Sequence, residues 1–319
     1  MITQRRLQHL LALVEHAHFG RAAKALEISQ PALTKSIQAL ESELGVRLID
    51  RKHGVVGPTV FGELVIRRSK RMLTEEDELR RELALLAGLE TGSLKLALGP
   101  YPSVTSGYAA IARLLARHPK VGVAVHVVGW REVASRVLAR TVDLGIAEVG
   151  DLENDGQFAT ERLTPHRGRF FCRPGHPLLD GKPVTPQRLL AYPWIGTRLP
   201  LRVAGGLPRP LGAAGTIDSS NGDFVPAVEI DVPMQLGTLL AGSDALTVAT
   251  LALMEPELRS GDVVVVPMTI PSLHAGYGFI YLKDRSLAPA ALAYMAEVRT
   301  MEARFVKREA ALAAEFGLI

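Results

Sequence analysis

Hydrophobic positions fall into three successive regimes along the chain. Near the N-terminus, Leu7, Leu10, Leu11 and Val14 recur at helical spacing and predict an amphipathic helix. A short second helix carries the small apolar residues Ala22 and Ala23 and then Leu26. After a turn at Glu27–Ser29, a third helix opens with Ser29 or Gln30 as cap and Pro31 in its first turn, where a missing N–H costs nothing. Leu33, Ile37, Leu40 and Leu44 follow at offsets of four, three and four, so one face of this helix turns inward. Gln30, Thr34, Lys35 and Gln38 lie on the other face, and Arg21 stands on the preceding helix. Residues 46–59 then combine Arg47, Arg51, Lys52 and His53 with Gly54, Gly57 and Pro58, a basic and turn-rich hairpin. Three helices and a basic hairpin predict a winged helix-turn-helix. That device puts one helix into the DNA major groove and rests a wing on the phosphates.

The second regime, residues 59–90, reads as one long charged helix in which Val65, Met72, Leu79 and Leu86 repeat every seven residues, with Leu83 and Leu89 beside them. Its charges are segregated, Arg67, Arg68, Lys70 and Arg71 preceding Glu75, Glu76, Asp77 and Glu78. An antiparallel partner helix would set one block against the other; the competing account is a solvated helix with internal pairs such as Arg71 and Glu75. Thr91-Gly92-Ser93 predicts a hinge.

The third regime, residues 91–319, alternates strand and helix patterns, which implies βαβ units on a mostly parallel sheet. Strands are expected at 94–98, 121–128, 142–147, 169–172, 225–230, 246–249, 263–266 and 276–282. Helices are expected at 104–117, 132–140, 186–190, 234–241 and from 288 onward. This predicts two lobes with the chain crossing between them, lobe I at about 94–162 and 267–319, lobe II at about 163–266. The arrangement resembles the periplasmic-binding-protein fold. The whole is an α+β multidomain chain: a DNA-binding domain at 1–58, a linker and dimerisation helix at 59–90, and an effector-binding domain at 91–319.

The run Phe19-Gly20-Arg21-Ala22-Ala23, then Leu26, Ser29-Gln30-Pro31-Ala32-Leu33-Thr34, Ile37, Leu40, Glu41, Leu44-Gly45-Val46, Leu48 and Arg51 closely resembles the N-terminal signature of LysR-type transcriptional regulators. Length and domain order fit that family over all 319 residues. Two departures stand out. Gly20 occupies a position where the family commonly has a capping hydroxyl, which implies a weaker cap. Pro58-Thr59-Val60-Phe61-Gly62 replaces the more usual Leu-Thr-Glu-Ala-Gly. The resemblance implies a homodimer or homotetramer on double-stranded DNA with inverted-repeat half-sites, gated by a small effector and acting on RNA polymerase.

Composition adjusts this picture in three places. The net charge of +4 says little by itself, but residues 1–60 hold eight Lys or Arg against five Asp or Glu. A single cysteine, Cys172, excludes an intrachain disulfide, suits a reducing cytoplasm and reads as an inert core thiol. It also excludes the two-cysteine switch of some peroxide-sensing relatives. No apolar run approaches the roughly 18–20 residues of a membrane span, and the N-terminus leads directly into a charged helix rather than a signal peptide.

Ligands of open α/β sheets sit at the carboxyl ends of strands, which selects particular turns. The turn after the first sensor strand holds Tyr101, Pro102, Ser103 and Thr105, where hydroxyls and N–H groups at a helix start suit a carboxylate. The next turn holds Trp130 and Arg131, the third strand ends at Glu148, and a lobe II strand ends at Thr197 and Arg198. The family resemblance places effector contacts in such turns. Each residue also has a plain structural account. Trp130 serves equally as a packing residue, Arg131 and Arg198 as surface charges, Ser103 as a helix cap, and Glu148 as a salt-bridge partner. These residues together point to an organic anion. A regulator answering to a protein partner, without a small molecule, is the alternative. An α/β enzyme fused to a DNA-binding domain ranks far below both, because the chain shows no nucleophile elbow, phosphate loop or paired metal-ligand spacing. No catalytic residue, metal or cofactor is expected.

Overall fold

The computed structural model describes residues 3–50, 56–87, 92–231 and 233–318. The chain divides into two units, Met1–Leu83 and Ala84–Ile319.

In the first unit, α1 (Gln4–His16), α2 (Phe19–Ala25) and α3 (Gln30–Leu44) close around Leu7, Leu10, Leu13, Ala22, Leu33, Ile37 and Leu40, all buried. Helix α2 is capped by His18, whose Nδ1 accepts from the N–H groups of Gly20 at 3.0 Å and Arg21 at 3.3 Å. Gly20 is therefore not a cap at all, and the weak cap expected there is replaced by an imidazole one position before the helix. Ser29 caps α3 through Oγ, which accepts from Ala32 N at 3.3 Å, and Gly45, at φ +69°, ends the helix in the left-handed region.

The wing is fastened to α3 by Glu41, whose Oε1 accepts from Leu48 N at 2.8 Å and Ile49 N at 3.1 Å. Its strands β1 (Ile49–Asp50) and β2 (Gly57–Pro58) pair antiparallel, Ile49 opposite Pro58. Thr59 then starts α4 (Val60–Ala87): its Oγ1 accepts from Gly62 N at 3.0 Å and donates to Arg47 O at 2.7 Å. A Cβ on Gly62 would lie 2.1 Å from the Leu48 carbonyl oxygen, so only glycine allows this approach. On α4, Val65 is half-buried against the core of the three helices, whereas Phe61, Leu64, Met72, Leu79 and Leu83 are exposed. The seven-residue stripe thus begins turned inward and runs exposed afterwards. The side chain of Leu86 and residue Thr91 lie outside the described residues.

The second unit holds two five-stranded sheets. Lobe I comprises β3 (Gly92–Leu98), α5 (Pro100–Pro102) running through a π-helical turn at Ser103–Gly107 into α6 (Tyr108–Arg117), β4 (Val121–Val127), α7 (Trp130–Leu138), β5 (Leu144–Glu148) and β6 (Phe158–Arg162). Lobe II comprises β7 (His166–Arg167), β8 (Arg169–Cys172), α8 (Pro186–Leu190), β9 (Trp194–Gly196), α9 (Leu201–Ala204), β10 (Gly215–Ile217), β11 (Phe224–Pro226), β12 (Val228–Glu229), α10 (Leu236–Ala241), β13 (Leu246–Ala249), α11 (Glu255–Ser260) and β14 (Val264–Val265). The chain returns through β15 (His274–Ala275), which pairs with β7, then β16 (Tyr277–Leu282) and α12 (Pro289–Glu315).

The lobe I sheet has the order β4-β3-β5-β16-β6, with β3 parallel to β4 and β5 and β16 antiparallel to its neighbours. The lobe II sheet has the order β12-β9-β13-β8-β14, with the first three parallel. Both sheets are covered on two faces. In lobe I, Leu94, Leu96 and Leu98 meet Leu114, Tyr294 and Val298 on one side, and Ala97 and Ile280 meet Val133 and Val137 on the other. In lobe II, Phe170, Trp194 and Leu246 face Leu189 and Phe224, and Phe171 and Ile195 face Leu236, Leu240 and Leu312. Burial on both faces explains why these strands read as continuous apolar runs.

Four expectations from the chain pattern change. The two large sheets are evenly mixed rather than mostly parallel, with four parallel and four antiparallel pairings. Gly92 and Ser93 of the expected hinge lie in β3, paired with Val121 and Gly122. The single strand expected at 225–230 is two, β11 on a separate hairpin with β10 and β12 on the edge of the main sheet. The helix expected from Val104 begins at Pro100.

Candidate functional site

The exposed face of α3 presents Gln30, Pro31, Lys35 and Gln38 to solvent with Thr34 half-buried beside them, and Arg21 and Ser29 are exposed at the same end. The opposite face of α3 is locked by Leu33, Ile37 and Leu40, each fully buried, so the polar row has no alternative orientation. Ser36, one turn from the row, holds the Nδ1 of the buried His9 at 2.7 Å and belongs to the domain's interior. Arg51 and Lys52, expected on the wing, lie outside the described residues.

In the second unit, a cavity of about 350 Å³ opens between the lobes, where β3, β5, β9 and β13 end. Tyr101, Pro102, Trp130, Arg131, Glu148, Thr197 and Arg198 line it, as the strand-end argument expects. Ser103 and Thr105 do not. Because the helix starts at Pro100, Ser103 falls within the coil rather than at its start: its N–H donates to Gly99 O at 3.1 Å and its Oγ to Pro100 O at 2.6 Å. Thr105 Oγ1 donates to Tyr101 O at 3.0 Å and lies 2.9 Å from the Tyr277 hydroxyl. The Ser103 hydroxyl ties the start of the helix to itself, and the Thr105 hydroxyl joins the helix to Tyr277.

The cleft is bridged by side chains from both lobes. Arg131, at the start of α7, forks onto Asp223 of lobe II, with Nε–Oδ2 at 3.0 Å and Nη2–Oδ1 at 3.1 Å. Its Cζ stands 4.0 Å from the Trp130 ring centroid, a cation–π contact, and Nη1 lies 3.8 Å from Asp151. The hydrogen bond that Arg131 donates to Asp223 raises its pKa further. Arg202 of α9 bonds Glu148 of β5, Nη2–Oε2 at 2.7 Å, and also donates to the carbonyl of His274 at 2.7 Å. Glu148 is thus a salt-bridge partner. Arg198 is held within lobe II by Glu229 at 2.6 Å and Asp218 at 2.7 Å, which raise its pKa. Hydrogen bonds from Ser220, with Arg198 behind them, pull Asp218 down to about 2. Tyr101 donates its hydroxyl to the Val248 carbonyl across the cleft.

Behind the cleft, at the crossing strands, His166 Nε2 lies 2.7 Å from Glu302, and the Tyr277 hydroxyl donates to the same carboxylate at 3.1 Å. Burial, reinforced by Glu302, raises the Tyr277 pKa well above 10 and keeps the phenol protonated. Arg202, Asp223, His166 and Tyr277 were not legible as site residues. Each lies in an unremarkable local context, and its side-chain partners stand 25 to 172 positions away.

Residues 4–63 match the model of the bacterial regulatory helix-turn-helix protein, lysR family, and residues 87–303 match that of the LysR substrate binding domain. The chain belongs to the LysR family. It is a LysR-family DNA-binding transcriptional regulator with an effector-binding domain. A Pseudomonas sp. relative described as an SDS degradation transcriptional activation protein is 36% identical over 304 residues, covering 94% of this chain and 96% of that one. The HTH-type transcriptional regulator GbpR of Azospirillum brasilense is 32% identical over 305 residues, covering 92% and 85%. Full-length CbnR solved with its target DNA shares the fold, with a TM-score of 0.60 at 19% identity over 94% of this chain and 100% of that one. Among the described residues, no helix is long and apolar enough to cross a membrane.

Proposed function

We propose that this LysR-family regulator reads an inverted-repeat operator as a homo-oligomer and is gated by a small organic anion bound between the lobes of its effector domain. The carrying observation is the cleft itself, whose two walls are bridged by Arg131–Asp223, Arg202–Glu148 and Tyr101–Val248. A ligand that favours one arrangement of these bridges shifts the lobe equilibrium by its differential affinity for the two states. Arg131 is the cation for the anionic group: its side chain is 43% exposed and Nη1 is only loosely engaged by Asp151, whereas both faces of Arg198 are taken by carboxylates. The Pseudomonas relative's name ties it to SDS, itself an organic anion.

Base reading falls to Gln30, Thr34, Lys35 and Gln38, with Arg21, Ser29, Pro31, Arg51 and Lys52 near the backbone of the duplex. Assembly falls to α4, where Met72, Leu79 and Leu83 form an exposed apolar stripe that a second copy covers. The re-spaced readers then act on RNA polymerase in the cytoplasm. The test is a melting-shift screen of organic acids against their neutral amides, followed by operator-binding titration with each hit. Acids that shift melting and change operator affinity while their amides do not support the assignment. A neutral or cationic hit of greater effect removes the anion.

A further inference from the structure

The cap of α2 is an imidazole, His18, at a position where helices ordinarily take a short oxygen-bearing side chain. Its Nδ1 accepts from Gly20 N at 3.0 Å and from Arg21 N at 3.3 Å, so that nitrogen offers a lone pair and the ring proton sits on Nε2. The ring is thus neutral, fixed by two bonds, and carries one N–H donor on its outer edge. His18 is exposed, and among the described residues nothing accepts from Nε2.

Gly20 makes room for this ring. A Cβ built there would stand 3.1 Å from His18 Cε1 and 3.3 Å from Nδ1, closer than side chains normally pack. The same point lies 3.6 Å from Gln30 Oε1, so the imidazole, the first turn of α2 and the first residue of α3 meet at one corner. Arg21, Ser29 and Gln30 are exposed around it. An N–H donor held rigid beside the start of a reading helix is complementary to a phosphate oxygen, which offers only acceptors. A lysine side chain could follow a phosphate as it moves. An imidazole fixed at Nδ1 admits one position, so it sets register as well as adding affinity.

We propose that His18 donates its Nε2–H to a backbone phosphate of the bound duplex, next to the bases that meet Gln30, and thereby fixes the depth at which α3 enters the groove. This rests on α3 being the reading helix and adds a contact, its chemistry and its independence of base sequence. His18 is then the cap of one helix and the stop for the other, and Gly20 is the residue that permits both. The contact is made by a neutral group, so it strengthens binding without displacing a counterion.

The probe is a duplex selected from a random-sequence library by the native full-length protein, with a scrambled duplex of the same composition beside it. Binding is measured at mildly alkaline pH over a range of salt. In His18→Ser the hydroxyl keeps the cap but cannot reach as far, and in His18→Ala both cap and donor go. Both variants bind both duplexes about tenfold more weakly than the native protein, although only His18→Ala melts lower, and the slope of log affinity against log salt is unchanged. Gly20→Ala keeps His18 but drives its ring from this place, and loses affinity to the same extent. Methylphosphonates placed singly along the selected duplex locate the contact: at one backbone position in each half-site the native protein loses affinity and His18→Ser does not. Affinity that follows melting temperature, with His18→Ser binding as the native protein does, leaves His18 a cap and overturns the contact. So does a loss confined to the selected duplex, which is base reading, or a methylphosphonate penalty equal in both proteins at every position. Failure of α3 as the reader shows separately, as an unchanged preference for the selected duplex in Gln30→Ala and Gln38→Ala. That result overturns the depth-setting role of His18 even where its phosphate contact persists.

Discussion

The Arg131–Asp223 bridge carries an asymmetric prediction. Asp223 is buried, its side chain 2% exposed, while the Arg131 side chain is 43% exposed. Removing the carboxylate by Asp223→Asn leaves a guanidinium that rehydrates from the cleft and keeps its contact with Trp130. The loss is a charge-assisted pair of hydrogen bonds, discounted because one partner is near solvent, or about 1–2 kcal/mol. Removing the guanidinium by Arg131→Ala leaves a carboxylate in the interior without its cation and forfeits the cation–π contact. That cost is about 2–4 kcal/mol, nearer the value for breaking a buried pair. The two tryptophans of the chain, Trp130 and Trp194, both lie in the effector domain, so urea unfolding followed by tryptophan emission reports that domain alone. The expected result is a stability loss in Arg131→Ala exceeding that in Asp223→Asn by at least about 1 kcal/mol, with a positive coupling energy in the double variant. Equal losses, or no loss in Asp223→Asn, would refute the argument from unequal burial.

Four further outcomes are expected. Gln38→Ala costs on the order of 1–3 kcal/mol on the operator and little on a scrambled duplex, whereas Lys35→Ala weakens both alike if it meets phosphate; paired binding curves decide this. Leu79→Asp places a carboxylate in the α4 seam and shifts sedimentation towards monomers with the effector domain still folded; unchanged association puts the contact elsewhere. Gly62→Ala forces a Cβ against the Leu48 carbonyl, displaces α4 from the wing and lowers stability by about 2–4 kcal/mol, read as a lower melting temperature and weaker DNA binding. Hydrogen bonds from Arg308 and then Arg259 depress the Glu255 carboxyl from 4.5 to about 2, so the folded protein binds fewer protons there than the unfolded chain. The stabilisation is complete above about pH 4.5 and lost as pH falls towards 2, and in Glu255→Gln melting-temperature scans this part of the acid dependence flattens.

Local rules carried the DNA-reading unit. The inward row Leu33, Ile37, Leu40, the Ser29 cap, Pro31 and Gly45 are near-neighbour effects on one helix, and each was readable in order along the chain. The strand and helix alternation of residues 92–318 was readable for the same reason: sheets covered on both faces leave apolar runs, and turns leave glycine and proline. The strand-end rule then led from those patterns to Tyr101, Trp130, Arg131 and Glu148.

Pairing and exposure depended on tertiary structure. The sequence carries Arg131, Arg198 and Arg202 as equivalent cations, yet folding gives each a different partner: Asp223 across the cleft, Glu229 and Asp218 within a lobe, and Glu148 across the cleft. Their partners stand 20 to 92 positions away, and no local periodicity links such residues. The start of the helix at Pro100, four residues before the hydrophobic period begins, turned Ser103 and Thr105 from ligand groups into ties within the fold. The cleft itself exists only because the ends of β3, β5, β9 and β13 come together. A residue's chemistry is written in the chain, but the field and the free volume around it are sums over neighbours that only the folded structure brings within reach.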